Sequence, residues 1–211
     1  IKECTLRVSD LKSGVLMAVL AMALLWMPLS GGAVESSKKE NKAMKVLLKT
    51  SEGDVVILLS ELTPGHRDNF VKNVEAGAYD GVLFHRVIKD FMVQTGDPTS
   101  KTATPDAVLG ANDYGEEIPG EFVLPELFHK RGAVAAARTG DAVNPEKKSS
   151  GSQFYIVHDG NACFHLNGEY SVFGETVDGF DVIDKIASTP VDRRDCPLVP
   201  VKIIKVIPVE E

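Results

Sequence analysis

Residues 84–97, FHRVIKDFMVQTGD, set a cation, Arg86, in a short apolar run and follow it with Phe91-Met92 and the amide Gln94. Val82, Phe84 and Val87 on one side, and Met92 and Val93 on the other, have the composition of two strands, with Lys89-Asp90 as a polar break between them. Folded back on each other, the two strands bring Arg86 near Phe91, Met92 and Gln94 on one wall. An arginine held against an aromatic ring and a thioether is an unfavourable placement unless a ligand uses the charge, because a desolvated guanidinium needs a partner. A surface arginine in an ordinary hairpin fits the same residues, and this stretch alone does not choose between the two.

The other residues that could do chemistry lack the spacing it requires. Five histidines (His66, His85, His129, His158 and His165) are scattered, with no HExxH or close Cys/His pattern, so they read as structural or surface groups and no metal is expected. Glu116-Glu117 reads as a solvated acidic turn. The serines of SSGS at 149–152 lack the GxSxG elbow and an identifiable base, and read as a turn. Neither GxGxxG nor a Walker motif is present, so nucleotide binding has no support in the sequence, and no cofactor is called for. What remains suits an extended peptide handled without acid, base or nucleophile: Arg86 and Gln94, the walls Phe91, Met92, Phe154, Tyr155 and Leu166, and a small-residue strand ending at Ala137-Arg138.

The elements that must position these residues are short. Residues 44–50 and 54–59 form two apolar, partly alternating runs joined by Ser51-Glu52-Gly53, a hairpin pattern. Thr63-Pro64 starts a helix, with Thr63 as cap and Pro64 at the first helical position; Phe70, Val71 and Val74 give it an apolar face and Gly77 closes it. Residues 98–120 read as a long surface loop and 138–150 as a second polar loop. Residues 133–137, 154–157, 171–173 and 201–206 read as strands. Phe180, Ile183 and Ile186 recur at helical spacing behind Asp178, taken as the cap of a second helix. Strands outnumber helices and βαβ alternation is absent, so the pattern predicts a mainly β chain, a closed antiparallel eight-stranded barrel capped by two α-helices.

The chain has 211 residues and a net charge of -7, and its basic residues are scattered, which argues against nucleic acid as a partner. Lys2, Arg7 and Lys12 precede an apolar run at 15–29, followed by Ser30-Gly31-Gly32-Ala33. That is the layout of a secretory signal peptide cleaved before Val34; an uncleaved anchor helix is the competing reading, and the run is short for a span. Residues 1–33 are therefore expected to be signal or anchor, 34–43 a charged linker, and 44–211 the folded domain. Cys163 and Cys196 remain after cleavage and could pair in an oxidising compartment, which the sequence leaves open.

The stretch FHRVIKDFMVQTGD, with GAVAAAR at 132–138, SSGSQFYIV at 149–157 and FHLNGEYSVFGETVDGFDVIDKI at 164–186, closely resembles the cyclophilin family of peptidyl-prolyl cis-trans isomerases, in the style of its single-domain bacterial members. The resemblance runs from about residue 44 to 207. It implies that Arg86 is the catalytic arginine and that Phe91, Met92, Tyr155 and Leu166 form the pocket for the proline ring. It implies further that Gln94 and Gln153 border the site and hold the arginine or the substrate backbone, and that Ala137 and Arg138 supply backbone contacts to substrate. His85 belongs to the signature as a structural residue. His165 and Tyr170 stand where eukaryotic members commonly carry Trp and His, with Phe164 able to take the Trp place if the loop shifts; tight cyclosporin binding, which favours that Trp, is not implied. Arg138 stands where Asn is usual, as in many bacterial members. The implied partners are proline-containing polypeptides; together with the signal-like leader this makes exported proteins the expected clients, with monomer as the default state and membrane contact only if the N-terminal segment stays uncleaved. A proline-peptide binding or chaperone module with incidental turnover is the runner-up.

Overall fold

The computed structural model describes residues 44–104 and 106–209; the expected leader and linker at 1–43, with Cys4, lie outside them. Eight strands appear in chain order: β1 (Lys45–Thr50), β2 (Gly53–Leu59), β3 (Arg86–Ile88), β4 (Met92–Thr95), β5 (Ala133–Ala136), β6 (Phe154–Val157), β7 (Val172–Asp178) and β8 (Ile203–Val209), with helix α1 (Pro64–Glu75) after β2 and α2 (Phe180–Ala187) after β7. All sheet neighbours are antiparallel, in the order β3-β4-β6-β5-β7-β2-β1-β8. Just outside β3 and β8, Leu83 bridges Lys202, and amide–carbonyl bonds run from Gly81 to Ile203, from Phe84 to Val201 and from Ile203 to Val82.

Strand alternation divides the buried residues into two clusters. Val87, Val93, Val134, Ala136, Phe154 and Ile156 face the core with Phe70 and Val74 of α1 and Val182, Ile183 and Ile186 of α2. Their alternates Met92, Ala133, Ala135, Tyr155 and Val157 join a second cluster with Cys163 and Val172, against which Ile88, Phe91, Leu127, Leu166 and Tyr170 pack. Because both faces are covered, β5 and β6 are buried at every position and read in sequence as unbroken apolar runs. Phe70 anchors the first cluster, its ring 5.0 Å from Tyr79, 5.4 Å from Phe154 and 5.5 Å from Phe173, at separations where aromatic pairs attract beyond their burial.

Several local expectations need correction. Asp178 does not cap α2: it is the last residue of β7, the cap is Gly179 at φ 87°, and a side chain there would strike the backbone of Asp54 and Val55. Thr63 holds the cap position of α1, but its hydroxyl points to the carbonyl of Val172 at 3.5 Å and makes no capping bond. The free amides of that helix end are taken by Glu121, whose carboxylate accepts from Gly65 N at 3.0 Å and His66 N at 2.9 Å. The strand expected through Val82 and Phe84 begins only at Arg86, and the last strand is displaced from 201–206 to Ile203–Val209. The long loop after β4 opens with a 3-10 turn, Pro98–Thr102, capped by Asp97, and another such turn, Phe164–Leu166, precedes β7. Cys163 and Cys196 are both free thiols.

Candidate active site

Sheet register lines up the chemistry. Arg86 pairs with Gln94, Gln94 with Tyr155, and Tyr155 with Ala135. Cross-strand partners point to the same face, so one row runs over β3, β4, β6 and β5 on the side away from the helices. Met92, two residues from Gln94, shares that face. Phe91 sits in the β3–β4 turn, where Asp90 adopts φ 58°; its carbonyl accepts from His158 N at 2.9 Å, and its ring stacks on His165 at 6.0 Å. Gly96 at φ 100° ends the stretch, because a Cβ there would collide with the backbone of Ser152 and Gln153.

A cavity of about 250 Å³ opens over this row, lined by Arg86, Phe91, Met92, Gln94, Ala137, Arg138, Tyr155, His165, Leu166 and Tyr170. Gln153 stands behind it, lining an adjoining cavity of about 80 Å³ that shares Gln94, Ala137 and Arg138 with the first. The eleven residues assigned to the site by the family resemblance therefore gather in one place, whereas Phe154, expected as a wall, alternates with Tyr155 to the opposite face of β6 and is buried in the core against Phe70 and Phe173.

Arg86 is exposed, and its NH1 donates to Gln94 Oε1 at 3.4 Å. With the Gln94 carbonyl turned to the guanidinium, its NH2 group needs an acceptor and donates to Gln153 Oε1 at 3.2 Å. Buried Gln153 in turn donates to the carbonyls of Asn112 at 3.0 Å and Gly110 at 3.2 Å. The loop supplying those carbonyls is fixed by Asp97, which accepts from Gly110 N and Thr99 Oγ1 at 2.6 Å and from Thr99 N at 2.8 Å. Burial pushes the Asp97 carboxyl up, but the bonds from Thr99 and Gly110 outweigh it and hold it below its usual range. His85 lies buried under the loop beside Gly110, where burial pushes its ring below the usual value despite the nearby Asp97. The guanidinium direction is thus set by a chain of amides anchored in a loop up to 27 residues away in sequence, from Arg86 to Asp113, whose carboxylate Gln153 also reaches at 3.4 Å.

Arg138 is expected to meet substrate through its backbone, and its side chain is committed elsewhere. Its guanidinium is already engaged, donating to Glu169 O and Thr139 O at 2.9 Å and to Asp141 Oδ1 at 2.6 Å, and lying 4.5 Å from the Tyr170 ring centroid. It braces the loop that carries Tyr170. Ala137 departs from its expected backbone contact: its N–H donates to Gln153 O and its carbonyl accepts from Ser150 N. What Ala137 contributes is a small side chain in the cavity wall.

Sequence reading missed the residues beneath the site. His129, Asn167, Asp97, Glu121 and His66 all act through contacts far apart in the chain, and only the capped turn at Asp97-Pro98-Thr99 carried a local signal. Ser149, in the SSGS turn, bonds His66 Nε2 at 2.9 Å, and His66 Nδ1 meets Glu121 Oε2 at 2.6 Å. Both His66 and Ser149 are buried, so this constellation ties α1 to the turn before β6 and faces no substrate.

The profile of the Cyclophilin type peptidyl-prolyl cis-trans isomerase/CLD family matches residues 45–207. The chain belongs to the cyclophilin family. A probable peptidyl-prolyl cis-trans isomerase of Brucella suis is 38% identical to this cyclophilin over 188 residues, covering 87% of this chain and 91% of the relative. The peptidyl-prolyl cis-trans isomerase-like 4 of Neurospora crassa is 37% identical over 76% of this chain, which spans only 34% of that longer protein. Among solved structures, a cyclophilin type peptidyl-prolyl cis-trans isomerase of Cryptosporidium parvum, determined in the presence of the dipeptide Ala-Pro, is 28% identical with a TM-score of 0.67, covering 79% of this chain and 99% of that one. This cyclophilin is a peptidyl-prolyl cis-trans isomerase with the mainly β, two-helix fold of its family.

Proposed function

We propose that Arg86 is the catalytic group, that the cavity beside it takes the proline ring of a polypeptide, and that the clients are exported proteins. The observation that carries the reading is the placement of an exposed guanidinium, steered by Gln94, at the rim of a cavity walled by Phe91, Met92, Tyr155 and Leu166. Rotation about an X-Pro bond is slow because it breaks amide resonance, a barrier of about 18–20 kcal/mol. As the bond twists, the prolyl nitrogen becomes pyramidal and regains a lone pair. A cation aimed at that nitrogen binds the twisted amide better than either planar form, which is the condition for catalysis. The apolar walls fix the ring and lower the local dielectric, strengthening the charge.

Gln153 holds Gln94 in this scheme. The backbone of Arg138, which makes no hydrogen bond among the described residues, is placed to receive the peptide main chain, with His165 and Tyr170 closing the far side. The Ala-Pro dipeptide present with the Cryptosporidium relative supports a proline-containing substrate. The bonds of Gly81, Val82 and Phe84 to Val201 and Ile203 support a sheet closed into a barrel, a rigid mount for the row. The chain acts as a monomer in a secreted or periplasmic setting after cleavage before Val34, or tethered by the same segment if it is retained. The signal-like layout of residues 1–33 supports this, and N-terminal sequencing of the native protein decides it: a first residue upstream of Val34 contradicts cleavage. Exchange spectroscopy on an Ala-Pro peptide tests the reaction, which fails as proposed if the protein binds the peptide and leaves its uncatalysed rate unchanged.

A further inference from the structure

One wall of the cavity is held by a chain of hydrogen bonds that no role assigned above explains. Tyr155 stands in the centre of the sheet, 4% exposed, with its hydroxyl 2.8 Å from Nε2 of His129, which is 1% exposed. The two rings lie nearly parallel at 5.9 Å. On its other side His129 meets Asn167 twice: its backbone N–H donates to Asn167 Oδ1 at 2.8 Å, and Nδ1 lies 2.8 Å from the same oxygen.

The direction of these bonds follows from the donor inventory. The backbone N–H can only donate, so the Asn167 atom it faces is the carbonyl oxygen, and Nδ1 must carry a hydrogen to approach that oxygen. Burial holds the ring below its usual pKa and so neutral, which leaves Nε2 with a lone pair. The Tyr155 hydroxyl therefore donates to His129, and burial keeps that phenol protonated. Asn167 ends the 3-10 turn Phe164–Leu166, whose His165 and Leu166 form the opposite wall of the cavity. Tyr170, edge-on to Tyr155 at 6.1 Å, is tied to the same turn through its amide bond to the Leu166 carbonyl.

We propose that His129 is a positioning residue for substrate: through Tyr155 on the sheet and Asn167 on the turn, it sets the distance between the two walls that clasp the proline ring. The inference rests on the proline-cavity reading above. It assigns His129 no contact with substrate and no part in the bond rotation itself.

The test is a double-mutant cycle read by the dissociation constant of an Ala-Pro-containing peptide, measured by titration so that turnover is not required. His129→Leu fills the same volume without an acceptor, and is expected to raise Kd about three- to tenfold while kcat at saturating peptide stays within about twofold. In the Tyr155→Phe background the same His129→Leu change is expected to shift Kd by less than about twofold, because the hydroxyl it served is gone. His129→Gln, whose amide oxygen can reach the hydroxyl, recovers most of the affinity. Circular dichroism reports whether each variant folds, and Asn167→Ala, expected to raise Kd in the same way, replaces His129→Leu if that variant does not. An equal Kd shift in both backgrounds, or lost kcat with unchanged Kd, overturns the proposal. Arg86→Ala has the opposite expected signature, lost kcat with Kd retained, so failure of the catalytic reading is seen separately.

Discussion

At the scale of single residues, the proposed mechanism depends on orientation more than on supply of charge. Among the described residues Arg86 reaches one amide, Gln94 at 3.4 Å, and that amide is held by Gln153. Removing Gln94 frees the guanidinium to swing into solvent without creating a buried orphan charge, so Gln94→Ala is expected to lower kcat/KM about tenfold with little change in thermal midpoint. Steady-state kinetics beside a melting curve checks this; a fall in midpoint that tracks the lost activity means Gln94 serves the fold instead. The pairing of Arg86 with Gln94 was legible in the sequence because eight residues and a polar break define a hairpin. The engagement of the Arg138 guanidinium by Glu169, Asp141 and Tyr170 was not, since a residue type indicates what it can bind and not which neighbours already bind it.

At the scale of elements, local propensity placed both helices and the Thr63 cap position, but misassigned the cap of α2 and missed the group that bonds the free amides of α1. Thr63-Pro64 is a good start signal, yet the carboxylate that satisfies Gly65 and His66 comes from Glu121, 55 residues away from His66. A single sequence carries no mark of that partnership. Glu121→Ala leaves two helix-end amides and His66 Nδ1 without their acceptor, and is expected to destabilise the fold by about 1–2 kcal/mol. Chemical denaturation measures it, and a loss below about 0.5 kcal/mol means Thr63 or water takes over the cap. The strands were legible to within a few residues wherever a buried run was bounded by turn residues, as at 154–157. The segment before Arg86 misled because Val82 and Phe84 are buried and bond to Val201 and Ile203 around a single bridge, Leu83 to Lys202, which yields strand-like composition with pairing too short to make a strand.

At the scale of the whole molecule, burial of ionisable groups predicts how stability varies with pH. His66, His85 and His129 all have their pKa lowered from 6.5, burial being the largest cause for each. The unfolded chain then binds more protons than the folded one below pH 6.5, so acidification favours unfolding. Glu121 and Asp97 are also held low, their hydrogen bonds outweighing burial, which adds a further loss as pH falls below the usual carboxylate range. The thermal midpoint is expected to be highest above pH 7 and to decline from about pH 6.5 downward. A midpoint flat between pH 7 and 5 contradicts this. The family and its β architecture were legible from four motifs in order, whereas the two-sided burial that holds the site together depends on register, which no motif states.

The central claim is that the charge of Arg86 acts on the half-turned bond. Exchange spectroscopy on an Ala-Pro peptide, with wild-type protein and Arg86→Ala side by side, tests it most directly. The expected result is a loss of about 100- to 1,000-fold in kcat, by analogy with removal of one donor from a preorganised anion site, with the peptide Kd unchanged within about threefold. An Arg86→Ala variant that binds the peptide and isomerises it within fivefold of wild type contradicts the account.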